Sequence, residues 1–180
     1  SDNTGTADAC ASTEGGHWAK DGAGWWYVCA NGTDYLKAGW FTINGSDYLF
    51  GPSGYMATGF LKRANGDWVY ADQDGAFVGG WVRDGGSWYY LDPATKVMVT
   101  GWVADGGSWY YLTGSGAMAI GWVNDGGTWY YLNASGKMAT GWLKDRGSWY
   151  YLSPSGAMLT GTQVINGRTY IFDTSGVWVG

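Results

Sequence analysis

Trp102-Val103-Ala104-Asp105-Gly106-Gly107-Ser108-Trp109-Tyr110-Tyr111-Leu112-Thr113-Gly114-Ser115-Gly116-Ala117-Met118 decides the fold. Trp102-Val103-Ala104 reads as a short strand. Asp105-Gly106-Gly107-Ser108 reads as a tight turn, because glycine enters the positive-φ region that two-residue hairpin turns require. Trp109-Tyr110-Tyr111-Leu112 is a returning strand of β-forming aromatics, and residues 113–116 form a connector. The stretch is therefore a β-hairpin followed by a loop. If Gly106-Gly107 is the two-residue turn, Trp102 lies opposite Tyr111 and Val103 opposite Tyr110. Alternation then puts Trp102, Trp109 and Tyr111 on one face and Val103, Tyr110 and Leu112 on the other. A one-residue slip would exchange the two sets.

The same pattern recurs on both sides. Gly-Trp-Val stands at Gly80-Trp81-Val82, Gly101-Trp102-Val103 and Gly121-Trp122-Val123, and as Gly141-Trp142-Leu143. Trp-Tyr-Tyr-Leu begins at Trp88, Trp109, Trp129 and Trp149. The lead positions are Trp18, Trp40, Phe60, Trp81, Trp102, Trp122, Trp142 and Thr162. A second slot keeps the same register: Tyr35, Met56, Phe77, Met98, Met118, Met138, Met158 and Trp178. All 5 methionines of the chain occupy it, which fixes the repeat. Residues 16–180 thus form about eight hairpin units, starting near 18, 40, 60, 81, 102, 122, 142 and 162, behind a polar leader over 1–15. A lone hairpin of this length is marginal in water. Stacked neighbours can bury the Val, Tyr and Leu face as a thin continuous core. The expected fold is all-β, a β-solenoid of stacked hairpins with repeats of ~20 residues.

Composition agrees and excludes much else. Among 180 residues there are 14 Trp, 14 Tyr and 33 Gly, with only 14% charged residues, which argues against disorder. No apolar run approaches the ~20 residues of a membrane span. The net charge is −5 and no basic cluster tracks a phosphate backbone, so neither nucleic acid nor membrane insertion is expected. No signal-peptide pattern opens the chain, which reads as a mature fragment or a piece of a longer protein.

The catalytic inventory is poor. The chain has 1 His, His17, without a nucleophile signature beside it, and it reads as an exposed leader residue. Its one glutamate, Glu14, lies in the polar leader. The aspartates fall mainly in turns, where their side chains bond to local backbone. With 2 Cys and 1 His no zinc spacing arises, and no glycine pattern forms a phosphate loop. No catalytic residue, metal or cofactor is expected. Any catalytic domain would lie elsewhere in the full-length protein. Cys10 and Cys29 flank the first hairpin and are expected to be joined in an oxidising setting, with two free thiols as the alternative.

A 20-residue unit cannot bury three large rings on each of two faces. Open Trp and Tyr faces attract cations, above all quaternary ammonium groups. Sugars also stack on aromatic platforms, but they need repeated polar partners that are scarce here.

The order Gly-Trp, a seven-residue step, Trp-Tyr-Tyr-Leu, then Gly-x-Met-x-Thr-Gly-Trp resembles the choline-binding repeats of Gram-positive surface proteins and phage lysins. The resemblance spans about residues 16–180 and is most specific over 80–160. It implies choline sites between successive hairpins, each built from two Trp of one unit, a Tyr of the next and a nearby Met. Carried onto this chain, one cage would be Trp81, Trp88 and Tyr111 with Met118. A second would be Trp102, Trp109 and Tyr131 with Met138, and a third Trp122, Trp129 and Tyr151 with Met158. The second Tyr of each pair is chosen because alternation puts it on the cage face. Phe60, Trp68 and Tyr90 with Met98 are a weaker match, since an extra residue precedes Trp68. Trp142 and Trp149 meet Ile171, and Trp18 and Trp25 meet Leu49, where Tyr is expected. The unit led by Trp40 has Asp47 in the second Trp slot and is expected to lack a cage.

The implied ligand is choline or phosphocholine on teichoic or lipoteichoic acid. The implied location is extracellular, non-covalently attached to the bacterial surface. Related repeats bind glucans, and Asn44-Gly45 and residues 166–172 lean that way. Glucan binding is therefore the alternative, with a ligand-free adhesin stalk as a third reading.

Overall fold

The structure is a computed structural model that describes residues 10–180. Residues 1–9 of the expected leader lie outside the described residues. The described residues are all β and divide into two compact units: residues 10–82 with 90–98, and residues 83–89 with 99–180.

The first unit contains β1 (His17–Asp21), β2 (Gly24–Val28), β3 (Gly39–Ile43), β4 (Ser46–Phe50), β5 (Gly59–Lys62) and β6 (Trp68–Ala71). The second contains β9 (Gly101–Asp105), β10 (Ser108–Leu112), β11 (Gly121–Asp125), β12 (Thr128–Leu132), β13 (Gly141–Asp145), β14 (Ser148–Leu152), β15 (Gly161–Ile165) and β16 (Arg168–Phe172). The division passes through β7 (Gly80–Asp84) and β8 (Ser87–Leu91).

The strands pair consecutively into antiparallel hairpins, numbered here one to eight in chain order. The register in β9 and β10 is the expected one, with Trp102 opposite Tyr111 and Val103 opposite Tyr110. Gly106 and Gly107 have φ of 57° and 83°, so both central residues of the turn are left-handed and the turn matches the strand twist. Arg146 occupies the first of these turn positions in hairpin seven at φ 49°, where an L side chain is strained.

Each connector returns to its own hairpin, and most also bond to the hairpin before. In hairpin six Met138 forms an isolated bridge with Leu132, and its N–H donates to the carbonyl of Trp109 at 2.8 Å. The same bond joins Met118 to Trp88 and Met158 to Trp129 in the second unit. It joins Met56 to Trp25 and Met98 to Trp68 in the first. The methionine slot therefore ties neighbouring hairpins through backbone, which explains its fixed register.

Within the second unit, Leu112, Leu132 and Leu152 are fully buried and form the spine of the core. Connector glycines seat on the methionine of the preceding repeat. Gly156 has φ of 87°, and a Cβ there would stand 2.4 Å from the sulfur of Met138, so a side chain would strain the backbone and displace the methionine. At the other end of the chain Cys10 is disulfide-bonded to Cys29, with a Cα–Cα distance of 5.4 Å. Tyr27 donates its hydroxyl to the carbonyl of Thr13 at 2.6 Å, so the segment just before β1 is fastened to hairpin one. His17 is exposed, but it is the first residue of β1, opposite Val28.

Candidate functional site

In hairpins five to seven the second Trp is the most open ring: Trp109 is 48% exposed, Trp129 41% and Trp149 40%. The lead Trp is the ring around which the others gather. Trp122 has Tyr131 of its own hairpin at 5.1 Å and Tyr150 of the next at 4.8 Å, both edge-on. Trp102 repeats this with Tyr111 at 5.0 Å and Tyr130 at 4.9 Å, and Trp142 with Tyr151 at 5.1 Å and Tyr170 at 4.9 Å.

The ring that closes on each lead Trp from the next hairpin is therefore the first Tyr of the pair. The expectation had assigned Tyr131 and Tyr151 to the preceding cages. The structure instead places Tyr111, Tyr131 and Tyr151 against the lead Trp of their own hairpins. The alternation was read correctly, as the register shows. The missing step is that the Trp face of one hairpin meets the opposite face of the next. That opposite face carries Tyr130 beside Val123 and Leu132.

Aromatic-lined cavities follow from this face-to-back stacking. Trp122, Trp129, Tyr150 and Met158 line a cavity of about 390 Å³, together with Thr174 and Ser175 of a later connector. Trp102 and Tyr130 bring the same elements together one hairpin earlier, with Met138 bonded to the Trp109 carbonyl. Trp142 and Trp149, weaker candidates because they meet Ile171, line a cavity of about 560 Å³ with Tyr170, Trp178 and Arg168. Trp18 and Trp25, where Leu49 stands in place of the expected Tyr, line one of about 210 Å³ with Tyr48, Met56 and Asp74. In both cases the first aromatic of the returning strand supplies the ring, so the residue after it is irrelevant.

Among the remaining expected residues, Trp81 lies in the first unit, tilted against Tyr90 at 5.0 Å. Trp88 and Met118 lie in the second, joined by their backbone bond. Phe60 packs edge-on against Tyr70 at 4.9 Å, and Met98 is bonded to the Trp68 carbonyl.

The turn aspartates have a role that sequence reading missed. The indole N–H of Trp102 donates to Asp125 at 3.0 Å, and that of Trp122 to Asp145 at 3.0 Å. Each carboxylate reaches back from the next hairpin and orients the lead ring, adding negative potential beside the cage. Their recurrence at one slot (Asp84, Asp105, Asp125, Asp145) was the available clue, because a glycine turn does not itself require it.

Hairpin two differs. Asp47 takes the second Trp slot, accepting from Thr42 and, at 2.8 Å, from the Arg63 guanidinium. That guanidinium lies 4.8 Å from the ring of Trp40 and 5.2 Å from that of Phe77. Here the chain supplies its own cation to the aromatic faces. Arg63 comes from a longer loop, since β5 and β6 pair Lys62 with Trp68 and leave residues 63–67 between them.

Comparison with known proteins follows the geometry. The sequence profile of the choline-binding repeat matches residues 37–78, 78–121 and 119–161. CbpJ of Streptococcus pneumoniae TIGR4 is 42% identical, with a TM-score of 0.71 over 90% of this chain and 57% of that one. Choline binding protein F of Streptococcus pneumoniae, solved in the presence of a peptidoglycan analogue, is 38% identical with a TM-score of 0.71, over 91% of this chain and 57% of that one. The choline-binding domain of CbpL from Streptococcus pneumoniae is 30% identical with a TM-score of 0.63, over 90% of this chain and 85% of that domain. The chain thus spans little more than half the length of CbpJ or choline binding protein F. No curated protein matches it. With three consecutive repeat matches on a frame of stacked hairpins, the chain belongs to the choline-binding repeat family and is a binding module.

Proposed function

We propose that the cages between hairpins bind the quaternary ammonium of choline, presented as phosphocholine on teichoic or lipoteichoic acid, and so hold the protein at a bacterial surface. The observation that carries this reading is the cavity of Trp122, Trp129, Tyr150 and Met158. Its walls are π faces, which favour a cation with no hydrogen-bond donors of its own. Asp145, bonded to the Trp122 indole, adds a nearby negative charge without entering the apolar box. A structure of choline binding protein F with ipratropium, a quaternary ammonium compound, is 35% identical to this chain. Each site is expected to be weak, in the millimolar range or about −4 kcal/mol. Several sites on one chain facing many cholines on one polymer convert this into firm retention.

Titration of choline followed by Trp fluorescence, with dextran as a parallel ligand, tests the reading. Choline should saturate and dextran should not. Saturation by dextran alone would replace the choline reading with glucan binding, and no response to either would leave a stalk.

A further inference from the structure

We propose that the cavity between hairpins seven and eight is a site for the whole phosphocholine zwitterion, in which Arg168 takes the phosphate while the aromatic box takes the ammonium. This rests on the choline reading above.

The box is the most aromatic in the second unit. Trp142 has Trp149 at 6.2 Å and 86°, Tyr170 at 4.9 Å and 69°, and Trp178 at 6.2 Å and 73°. Trp178 stands in the slot that holds Met118, Met138 and Met158 in the preceding repeats, so a fourth π face replaces a thioether.

Arg168 is equally particular to this repeat. It opens the returning strand at the slot occupied by Ser108, Thr128 and Ser148 in hairpins five to seven, and it lines the same cavity of about 560 Å³. A guanidinium is charged at every working pH and matches phosphate oxygens with two parallel donors.

The charged groups around the cavities differ. The seventh-to-eighth cavity is lined by Arg168, and the Lys144 ammonium lies 5.8 Å from the ring of Trp149. The sixth-to-seventh is lined by the hydroxyls of Thr174 and Ser175. The first-to-second is lined by the carboxylate of Asp74, offset by the Lys20 ammonium 5.3 Å from the ring of Trp25. A phosphocholine seated by its ammonium leaves its phosphate near the mouth. Arg168 attracts that phosphate and repels a bare cation, whereas Asp74 does the reverse. The seventh-to-eighth cage should therefore prefer phosphocholine over choline more strongly than the sixth-to-seventh, which has no charged group in its lining.

The test uses the intact chain labelled at its indole nitrogens. The resonances of Trp149, Trp129 and Trp25 are assigned by single Trp→Phe substitutions, and choline and phosphocholine are titrated separately. The phosphocholine-to-choline affinity ratio should be about tenfold higher at Trp149 than at Trp129, as one added charge-assisted contact implies. Arg168→Gln should bring the Trp149 ratio down towards that of Trp129, and Arg168→Lys should restore part of it. Salt near 1 M, where the Debye length is about 3 Å, should compress the differences. Asp74→Asn should raise the ratio at Trp25, an arm that does not depend on the fold of the Arg168 variants. Equal ratios at Trp149 and Trp129, or a Trp149 ratio that survives in a folded Arg168→Gln chain, would overturn the proposal while choline binding stands. If neither ligand moves any indole resonance, the choline reading itself fails and this assignment with it.

Discussion

The guanidinium of Arg63 lies 4.8 Å from the ring of Trp40 while bonded at 2.8 Å to Asp47, so one interface between hairpins is held by the chain's own cation. Trp40 is 3% exposed, and the ion pair is shielded to 17% and 18% exposure. Removing the cation strands Asp47 with Thr42 as its remaining side-chain partner and strips the charge from two rings. Arg63→Ala should therefore destabilise the first unit by about 2 kcal/mol, seen as a lower urea midpoint. Pairing Arg63→Met with Asp47→Leu should recover most of the loss, because no charge is then left uncompensated. An unchanged midpoint in Arg63→Ala would show that the contact contributes nothing.

The cage assignment separates adjacent tyrosines. Tyr150 lines the cavity with Trp122 and Trp129, whereas Tyr151 lies against Trp142. Tyr150→Ala should weaken choline at the Trp129 resonance by about 1 kcal/mol, one ring of the box. Tyr151→Ala should leave Trp129 unaffected and disturb Trp142 instead. The reverse pattern would restore the assignment made from alternation alone.

How much of this was legible follows from what the repeat encodes. Hairpin register, turn type and the methionine slot are local, set by Gly106-Gly107 and by a spacing that recurs, and all were readable. Which face meets which between hairpins is not local. Tyr130 and Tyr131 differ by one position and both are aromatic, so composition could not choose between them. For the same reason Ile171 and Leu49 looked like lost cages, although Tyr170 and Tyr48 complete them. The Arg63 contact was unreadable because residues 63–67 between Lys62 and Trp68 are one more than the four between Ala104 and Trp109, so Arg63 has no counterpart slot in the other repeats.

Asp125 should behave as a positioning residue for the cage of Trp102 and Trp109. Its carboxylate fixes the Trp102 indole from the following hairpin. Asp125→Ala should cost about 0.5–1.5 kcal/mol of choline affinity there and shift the Trp102 indole proton resonance, leaving the Trp129 site nearly intact. Asp125→Asn keeps an acceptor and should recover the resonance more fully than the affinity, since the charge is gone. Loss of both to the same degree in Asn and Ala would show that the charge, not the bond, matters.

Reduction of the Cys10–Cys29 bond, 19 residues apart in sequence, should lower stability by about 3 kcal/mol on the chain-entropy account. The effect should be confined to the first hairpins, because repeats transmit stability mainly to neighbours. Amide exchange after reduction should accelerate in β1 and β2 and remain slow in β13 and β14. Uniform acceleration would mean the chain unfolds as one cooperative body.

Asp21 and Tyr55 give the first unit a pH dependence at both extremes. The Tyr55 hydroxyl donates to Asp21 at 2.8 Å, joining hairpin one to the connector after hairpin two. That bond, with the N–H groups of Ala23 and Gly24, holds the Asp21 carboxyl below its ordinary 3.8. The same bond and the carboxylate charge raise the Tyr55 phenol above its ordinary 10.0. For Asp21 the unfolded chain binds the proton more tightly, so its stabilisation is complete above 3.8 and is lost as pH falls through the depressed value. For Tyr55 the folded chain holds the proton more tightly, so its stabilisation is complete below 10.0 and is lost as pH rises through the raised value. Tyr55→Phe removes the Tyr55 effect and the hydroxyl's share of the Asp21 effect, leaving the share of the Ala23 and Gly24 N–H groups. The gap in urea midpoint between the parent and Tyr55→Phe should stay flat through neutral pH, then narrow below 3.8 and again above 10.0. A gap that is constant from acid to alkali would mean the hydroxyl contributes nothing through Asp21.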